Sequence, residues 1–406
     1  MNINDSSAIR SCTGCQMCAA VCAWNAIRIE LNGDGFYRPS VDGSTCVDCG
    51  LCVKVCYKFD GDITDSDKEK LSSTVLYGAS AKNRDVLENS TSGGVADLLA
   101  HKLIAEGYKC VGVVYDSSRD CAIDSVAENE AELLNFRGSK YIQSYTFEAF
   151  KSIVQTCATE KYAVFGTPCH IYALDRYLRL RKVRDNFVLV DLFCHGCPSM
   201  NLWKKYVNEI KHITGEKKID NANFRSKIHG WGTFYVVVVV VDGKPVYYSK
   251  PNNNDFFELF FSDQILNEAC NSCKLRSTLA YTDIRLGDFW GKQYVLNNKG
   301  VSAVSLVTER AKTLFEGIIE ELDCRKEFYD DFLPWQSWGK EHHPDKELRK
   351  SLLEQLRDDS VPLRESVRML YRNQSLKGRL IWVCKKMVHL MPVRVEKRVR
   401  WLFYKL

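Results

Sequence analysis

The 406-residue chain contains no run of 18 uncharged apolar residues. About that length is needed for one helix to cross a bilayer, so no single membrane-spanning helix is expected. The opening residues, Met1-Asn-Ile-Asn-Asp, lack a basic segment followed by an apolar one. No secretory signal peptide is therefore expected, and many cysteines without one point to a reducing cytoplasm. Two phosphate-loop fingerprints are also missing. There is no G-x-G-x-x-G, and Gly138-Ser139-Lys140 lacks the upstream glycine of a Walker loop. Neither sign of charge dominates, with 56 Lys and Arg against 51 Asp and Glu. The balance is uneven, however. From Arg364 to Leu406 there are twelve basic residues against Glu365 and Glu396 alone, so the preceding chain is net acidic. The C-terminal segment thus has a separate role. Nucleic acid is not an expected partner.

Cysteine is abundant, at 18 residues. Eight fall in two identical runs, Cys12, Cys15, Cys18, Cys22 and Cys46, Cys49, Cys52, Cys56. Each reads C-x2-C-x2-C-x3-C. This is the bacterial ferredoxin spacing, in which three thiolates hold one [4Fe–4S] cube and the fourth reaches across to the other. The assignment is Cys12, Cys15, Cys18 and Cys56 for the first cube, and Cys46, Cys49, Cys52 and Cys22 for the second. A disulfide scaffold is excluded by length and context. Zinc prefers paired C-x2-C knuckles and fits poorly. The proline that follows the fourth cysteine in the bacterial pattern is replaced by Ala23 and Tyr57; it ligates nothing, so the change bears on turn geometry and reduction potential.

The length implies two or three domains. Residues 1–62 read as a ferredoxin-like two-cluster unit, and the polar stretch 61–75 as a linker. Apolar spacing predicts a helix over 94–106, and Cys110–Tyr115 a buried strand. Helix 147–157, strand 161–165, helix 169–180 and strand 187–193 then alternate, which argues for an α/β sheet with parallel strands. A hairpin over 233–249 turns at Asp242-Gly243, and its valine run, Val236–Val241, should be buried on both faces. A helix is expected over 311–322 and a helical tail from about 345, broken at Pro392. The fold class is α+β or α/β: a ferredoxin-like domain, an α/β domain divided into 76–158 and 159–325, and a basic helical tail over 340–406.

Several downstream segments carry chemistry. Ser90-Thr91-Ser92-Gly93-Gly94 precedes a helix, either cradling a phosphate or supplying an ordinary cap through Ser92. Phe136–Ser144 reads as a cationic, aromatic loop or a solvated turn. Gly166-Thr-Pro-Cys169-His170 and Cys194-His195-Gly-Cys197 follow two presumed parallel strands, where open α/β sheets place ligands. Cys270 and Cys273 add a further pair. The five thiols leave three readings open: a third [4Fe–4S] cluster, unligated or redox-active thiols, and zinc. His170 and His195 read as polar pocket residues, since thiols are plentiful beside them. Asp288, in Gly287-Asp-Phe-Trp290-Gly, is a turn carboxylate or an orienting group for a ligand.

Taken in order, the ferredoxin-like start, Ser-Thr-Ser-Gly-Gly, Gly-Ser-Lys-Tyr-Ile-Gln-Ser, Gly-Thr-Pro-Cys-His, Phe-Cys-His-Gly-Cys-Pro-Ser, Phe224-Arg-Ser-Lys-Ile-His-Gly-Trp231, Cys-Asn-Ser-Cys and Asp-Ile-Arg-Leu-Gly-Asp-Phe-Trp-Gly resemble the beta-subunit family of coenzyme F-420 hydrogenases and dehydrogenases. The likeness spans about 1–310. It implies an FAD-containing iron–sulfur oxidoreductase. Ser92, Gly93 and Gly94 would hold the FAD phosphates, and Ser139, Lys140, Tyr141 and Gln143 would line the flavin pocket. Cys169, Cys194, Cys270 and Cys273 would ligate a third cluster, leaving Cys197 spare. A flavin accepts a hydride as two electrons while clusters pass them singly, so the cofactors are complementary.

The expected activity is oxidation or reduction of a small organic substrate, with ferredoxin, a deazaflavin (coenzyme F-420) or another donor as redox partner. Two alternatives are an electron-transfer subunit feeding a catalytic partner and a redox-sensing or scaffold protein. The tail adds an expectation of its own. Leu376, Leu380, Val383, Met387 and Met391 form an apolar stripe flanked by Lys377, Arg379, Lys385 and Lys386, continued by Val395, Val399, Trp401, Leu402, Tyr404 and Leu406. Such a face lies on an anionic membrane surface or packs on its own protein. The first would make the protein peripheral on the inner face of the membrane.

Overall fold

The two cysteine runs fold as a pair of loops closed by one antiparallel hairpin, β1 (Ile27–Leu31) and β2 (Tyr37–Val41). Each run ends in a single helical turn, Met17–Ala20 and Leu51–Lys54, entered from a left-handed residue, Gln16 at φ 66° and Gly50 at φ 76°. The computed structural model describes residues 1–4, 11–59, 63, 71, 73–232, 237–249, 254–389, 391, 395, 396, 398 and 399. Most of the expected linker over 61–75 lies outside them.

Nine strands form the main sheet. In chain order these are β3 (Val75–Ala81), β4 (Lys109–Asp116), β5 (Cys121–Ala127), β6 (Ser144–Tyr145), β7 (Tyr162–Phe165), β8 (Phe187–Leu192), β12 (Ile284–Asp288), β13 (Ser302–Leu306) and β14 (Leu322–Glu327). Their spatial order is β14-β3-β13-β12-β8-β7-β4-β5-β6. The four central strands, β12, β8, β7 and β4, are mutually parallel as the alternation predicted. Antiparallel strands flank them, so the sheet is mixed.

Side chains alternate across the pleat. On β8, Val188 and Val190 face helices Val95–Ala105 and Glu309–Glu316, while Phe187 and Leu189 face helices Phe147–Thr156 and Pro168–Leu180. Helices thus cover both faces, which is why these strands read as unbroken apolar runs. One position departs from that pattern. Asp191 on β8 pairs in register with Arg285 on β12, and both side chains are fully buried. The guanidinium grips the carboxylate with two hydrogen bonds, of 2.8 and 2.5 Å. It also donates to the carbonyls of Leu275, Arg276 and Thr278 and to the Tyr281 hydroxyl.

Three expectations need correction. The helix expected over 311–322 runs Glu309–Glu316, because Thr308 caps it by accepting from the Ala311 amide; residues from Leu322 form edge strand β14. The valine hairpin is there, with β10 (Val238–Val241) and β11 (Lys244–Tyr248) joined through Asp242 and Gly243 at φ 48° and 70°. It belongs to a separate three-stranded sheet with β9 (Asn221–Asn223), and of the described part of the valine run Val237, Val238 and Val239 are buried. Val240 and Val241 run towards the turn and past the core. Residues 233–236 lie outside the described set.

The third correction concerns the tail, which is not one unit. Helices Lys346–Arg357 and Leu363–Arg372 insert Leu352, Leu353, Leu356, Leu363, Val367 and Leu370 into the core built on Trp203 and Phe256. Helix Leu376–His389 stands clear, with Leu376 83%, Leu380 65%, Val383 43% and Met387 54% exposed. Pro392 and residues 400–406 lie outside the described set. Among the described residues no helix is long and apolar enough to cross a membrane.

Truncating one partner of a buried ion pair strands the other charge, at about 3–5 kcal/mol. Asp191→Ala should therefore lower stability by about that amount in thermal or urea unfolding, more than any exposed Asp→Ala change.

Candidate iron–sulfur and redox site

The N-terminal thiols fall into two groups. Cys12, Cys15, Cys18 and Cys56 line one cavity with Ile3, Ile29 and Val55, and Cys22 is not on its wall. Cys22 instead lies beside Cys52 with Cys49. The fourth cysteine of each run thus crosses to the other set. Amide N–H groups point at sulfur, from Gly14 to Cys12 and from Ala26 to Cys22. Such contacts stabilise negative sulfur and tune a cluster's potential. Gly14 sits at φ 73°, and a Cβ there would lie 2.5 Å from Gln143 Nε2.

Burial first, and neighbouring thiols second, push Cys15 up to about 11 and Cys56 up to about 12. Bare, these groups are neutral thiols at pH 7. A metal must displace the protons to bind, so loading releases protons.

The downstream thiols converge too. Cys169 occupies the first turn of helix Pro168–Leu180, where the helix dipole favours a thiolate, and stands 3.3 Å from the Thr167 hydroxyl. Cys194 and Cys197 follow β8; Cys270 lies in the short helix Glu268–Asn271, and Cys273 follows it. The Cys197 amide donates to Cys270 Sγ at 3.4 Å. Burial, then the surrounding thiols, pushes Cys194 up to about 12 and Cys270 up to about 11. Cys197 lies among Cys270, Cys194, Cys169 and Cys273, so position alone does not set it apart.

A zinc ion bound by thiolates at about 2.3 Å would draw their sulfurs to roughly 3.8 Å of one another. Among the described residues no three cysteine sulfurs gather within 4.8 Å.

The two thiol sets adjoin. Cys15 is among the groups acting on Cys169. Lys58 lies in the field of Cys56 and Cys12 on one side and of Cys273 and Cys270 on the other. Arg38 likewise faces both Cys12 and Cys270. The ferredoxin unit is fastened here: Gln16 receives the amides of Thr146 and Phe147 and donates to Ser144 O, while Gln143 donates to Thr13 O and Gly14 O. The edge-on rings of Tyr57 and Tyr172 add packing.

A second constellation gathers four motifs at the carboxyl ends of β3 and β12. Arg225 is buried and donates to Asp288, to the Tyr141 hydroxyl and to Gly232 O. Trp231 Nε1 donates to the other Asp288 oxygen, and its indole stacks on Trp290 at 5.0 Å. Asp288 is therefore an organising carboxylate. Lys227 donates to Leu87 O and Ser92 O, and burial lowers it to about 8. Arg225 and Lys227 lie inside the Phe224–Trp231 motif, yet only the fold reveals their role.

Several residues that the resemblance assigns to FAD have internal partners. Ser92 donates to Val301 O, and the Gly93 amide donates to Ser302 Oγ. The Lys140 ammonium is enclosed by the carbonyls of Asn135, Phe136 and Arg137, and burial lowers it to about 8. Gln143 faces the ferredoxin loop. The Ser139 amide donates to Thr91 Oγ1, and Gly94 starts helix Val95–Ala105 at φ 84°. His170 is buried against Phe150, and burial lowers it to about 4, so it is neutral.

Comparison with known proteins agrees with the two-part organisation. Residues 159–329 match the C-terminal region of the coenzyme F420 hydrogenase/dehydrogenase beta-subunit family. Residues 11–58 match the 4Fe–4S dicluster domain. The chain is 25% identical over 241 residues to the beta subunit of the coenzyme F420 hydrogenase of Methanococcus voltae, covering 57% of this chain and 80% of that protein. It is 26% identical over 249 residues to an uncharacterised protein of Methanocaldococcus jannaschii, covering 53% and 68%. A chain of the F420-reducing [NiFe] hydrogenase complex from Methanosarcina barkeri overlays with a TM-score of 0.44 at 18% identity, covering 72% of this chain and 90% of that one.

The crossed arrangement predicts crossed losses. Cys56→Ser should deplete the cube of the first run and spare that of the second, whereas Cys22→Ser should do the reverse. Electron paramagnetic resonance of the two reduced variants distinguishes these outcomes.

Proposed function

Taking the chain as a relative of the coenzyme F420 hydrogenase beta subunits that carries a 4Fe–4S dicluster domain at its N terminus, we propose that it is an electron-carrying oxidoreductase. In this reading it links two N-terminal [4Fe–4S] centres to a third thiol-bound centre. The observation that carries the proposal is the adjacency of the two thiol sets, with Cys15 acting on Cys169 and with Lys58 and Arg38 facing both. Cys12, Cys15, Cys18 and Cys56 would hold one centre, and Cys46, Cys49, Cys52 and Cys22 the next. Cys169, Cys194, Cys270 and Cys273 would hold the third. When bound, such centres store and pass single electrons. The protein's part is to bury the sulfurs, direct amide N–H groups at them and place cations between the sets.

A flavin belongs to the same proposal. A flavin bound beside Tyr141, Arg225, Lys227, Trp231 and Trp290 would meet aromatic rings and two cations, with Arg225 and Lys227 exchanging their present partners, Asp288 and the Leu87 and Ser92 carbonyls, for ligand phosphates. Ser139 and the Ser92-Gly93-Gly94 turn would form the rim of such a cleft. Because Lys140 and Gln143 are engaged elsewhere, they would shape the cleft wall without touching the ligand. A bound flavin supplies two-electron chemistry towards a small organic substrate or a deazaflavin. The name of the Methanococcus voltae relative, a beta subunit, supports a second reading in which this chain serves a catalytic partner; turnover by the isolated protein separates the two.

Anaerobically purified protein should contain roughly twelve irons and one FAD per chain. About eight irons and no flavin would overturn both the third centre and the flavin. Replacing Cys270 and Cys273 with serine should remove only about four of the irons.

For membrane contact the best-described candidate is helix Leu376–His389. Leu376, Leu380, Val383 and Met387 share an exposed face beside Lys377 and Arg379, and such a face suits an anionic lipid surface. Leu380→Glu with Met387→Glu in the full chain should abolish co-sedimentation with anionic vesicles; equal sedimentation of both proteins contradicts the idea.

A further inference from the structure

One residue past Cys194, three metal-ligating side chains from distant segments meet. Their donor atoms, one each from His195, Asp263 and His342, all lie within 4.8 Å of one another. His195 Nε2 stands 2.7 Å from Asp263 Oδ1, and His342 Nδ1 stands 2.9 Å from Asp263 Oδ2. We propose that this set binds a divalent transition metal ion of the zinc class, separate from the iron–sulfur centres.

The hydrogen bonding of His342 is the strongest argument. Its Nε2 lies 3.0 Å from the carbonyl oxygen of His195. A carbonyl can only accept, so Nε2 carries the proton. With Nε2 so held, Nδ1 is turned onto the Asp263 carboxylate, so the ring is already oriented to give that nitrogen to a metal in exchange for a proton. His195 shows the matching pattern: Nε2 faces Asp263 while Nδ1 faces the Ser337 hydroxyl at 3.4 Å. Metal-bound imidazoles almost always have their second nitrogen held in this way by an oxygen acceptor, which fixes the ring and its tautomer.

The donor set selects the metal class. Two imidazoles and one carboxylate suit zinc and its neighbours, with an open position for water. Bonds of about 2.0–2.1 Å place tetrahedral donors roughly 3.3 Å apart. The two imidazole–carboxylate separations, 2.7 and 2.9 Å, would open by about half an ångström, and all three donors already lie within 4.8 Å of one another. His342 is buried, whereas His195 and Asp263 keep about a third of their side-chain surface. An ion can therefore enter from solvent.

Location gives the site a purpose. Asp263 sits at φ 63°, just past helix Asp255–Phe260. His342 lies beyond residue 329, where the family match ends. Arg276 joins the site to the thiols by donating to both His195 O and Cys270 O, at 2.9 and 2.6 Å. A metal here would clamp the chain's C-terminal extension and the Asp263 loop onto the segment that carries Cys194.

The test uses full-length, cluster-loaded protein dialysed anaerobically against Zn2+ and cleared of free ion. The wild type should retain about one zinc per chain. X-ray absorption at the zinc edge should show nitrogen and oxygen at about 2.0–2.1 Å and no sulfur at about 2.3 Å. His342→Gln and Asp263→Asn should each weaken retention at least tenfold, with iron and sulfide unchanged. A wild type without zinc, or with zinc bound by sulfur, overturns the proposal. So does retention unaltered by either substitution. The absorption measurement needs no variant and decides the matter even if one fails to fold.

Discussion

Arg285 is the residue on which the geometry of the thiol groups depends. Its guanidinium is fully buried between β8 and β12, paired with Asp191 and bonded to the carbonyls of Leu275, Arg276 and Thr278. β8 leads directly to Cys194, and the 275–278 turn follows directly on Cys273. One cation thus ties together the two chain segments that carry Cys194 and Cys273. A buried pair of this kind contributes little net stability against an apolar replacement. Its value here is directional, because the fork of the guanidinium admits only one register and one turn conformation. Arg276 repeats the device one layer out, tying His195 O to Cys270 O.

Around that brace the fold handles an electrostatic difficulty. The cysteines of both runs and the five downstream thiols gather in adjoining groups, and thiolates in apolar surroundings repel one another. Burial and mutual repulsion raise Cys18, Cys169 and Cys197 together. Lys58 and Arg38 are cations within the field of both groups, and burial lowers both. Such an arrangement favours bound metal, which neutralises the sulfurs, over a bare set of thiols.

What could be read from the sequence followed the range of the interactions involved. The ferredoxin sorting rests on spacings of two and three residues, and the cavity walled by Cys12, Cys15, Cys18 and Cys56 follows it. The parallel centre of the sheet was legible because strand and helix alternate over 147–193. The antiparallel strands β3, β13 and β14 were not, since nothing local tells Val75–Ala81 that its partners lie more than two hundred residues away. Lys140 and Gln143 carry polar groups that a ligand would suit; the fold gives Lys140 to a helix end and Gln143 to the ferredoxin loop. The two readings of the tail stayed open for a related reason. An amphipathic stripe looks alike whether it meets protein, as at Leu352 and Leu370, or stands exposed, as at Leu380.

The central claim is that the downstream thiols hold an iron–sulfur centre beside the two ferredoxin centres. Spin counting by electron paramagnetic resonance on the fully reduced, anaerobically prepared protein tests it most directly. Each reduced [4Fe–4S] centre contributes one unpaired spin, so the account predicts about three spins per chain, in a broadened signal from centres in close contact. About two spins, unchanged when Cys270 and Cys273 are replaced, would contradict it.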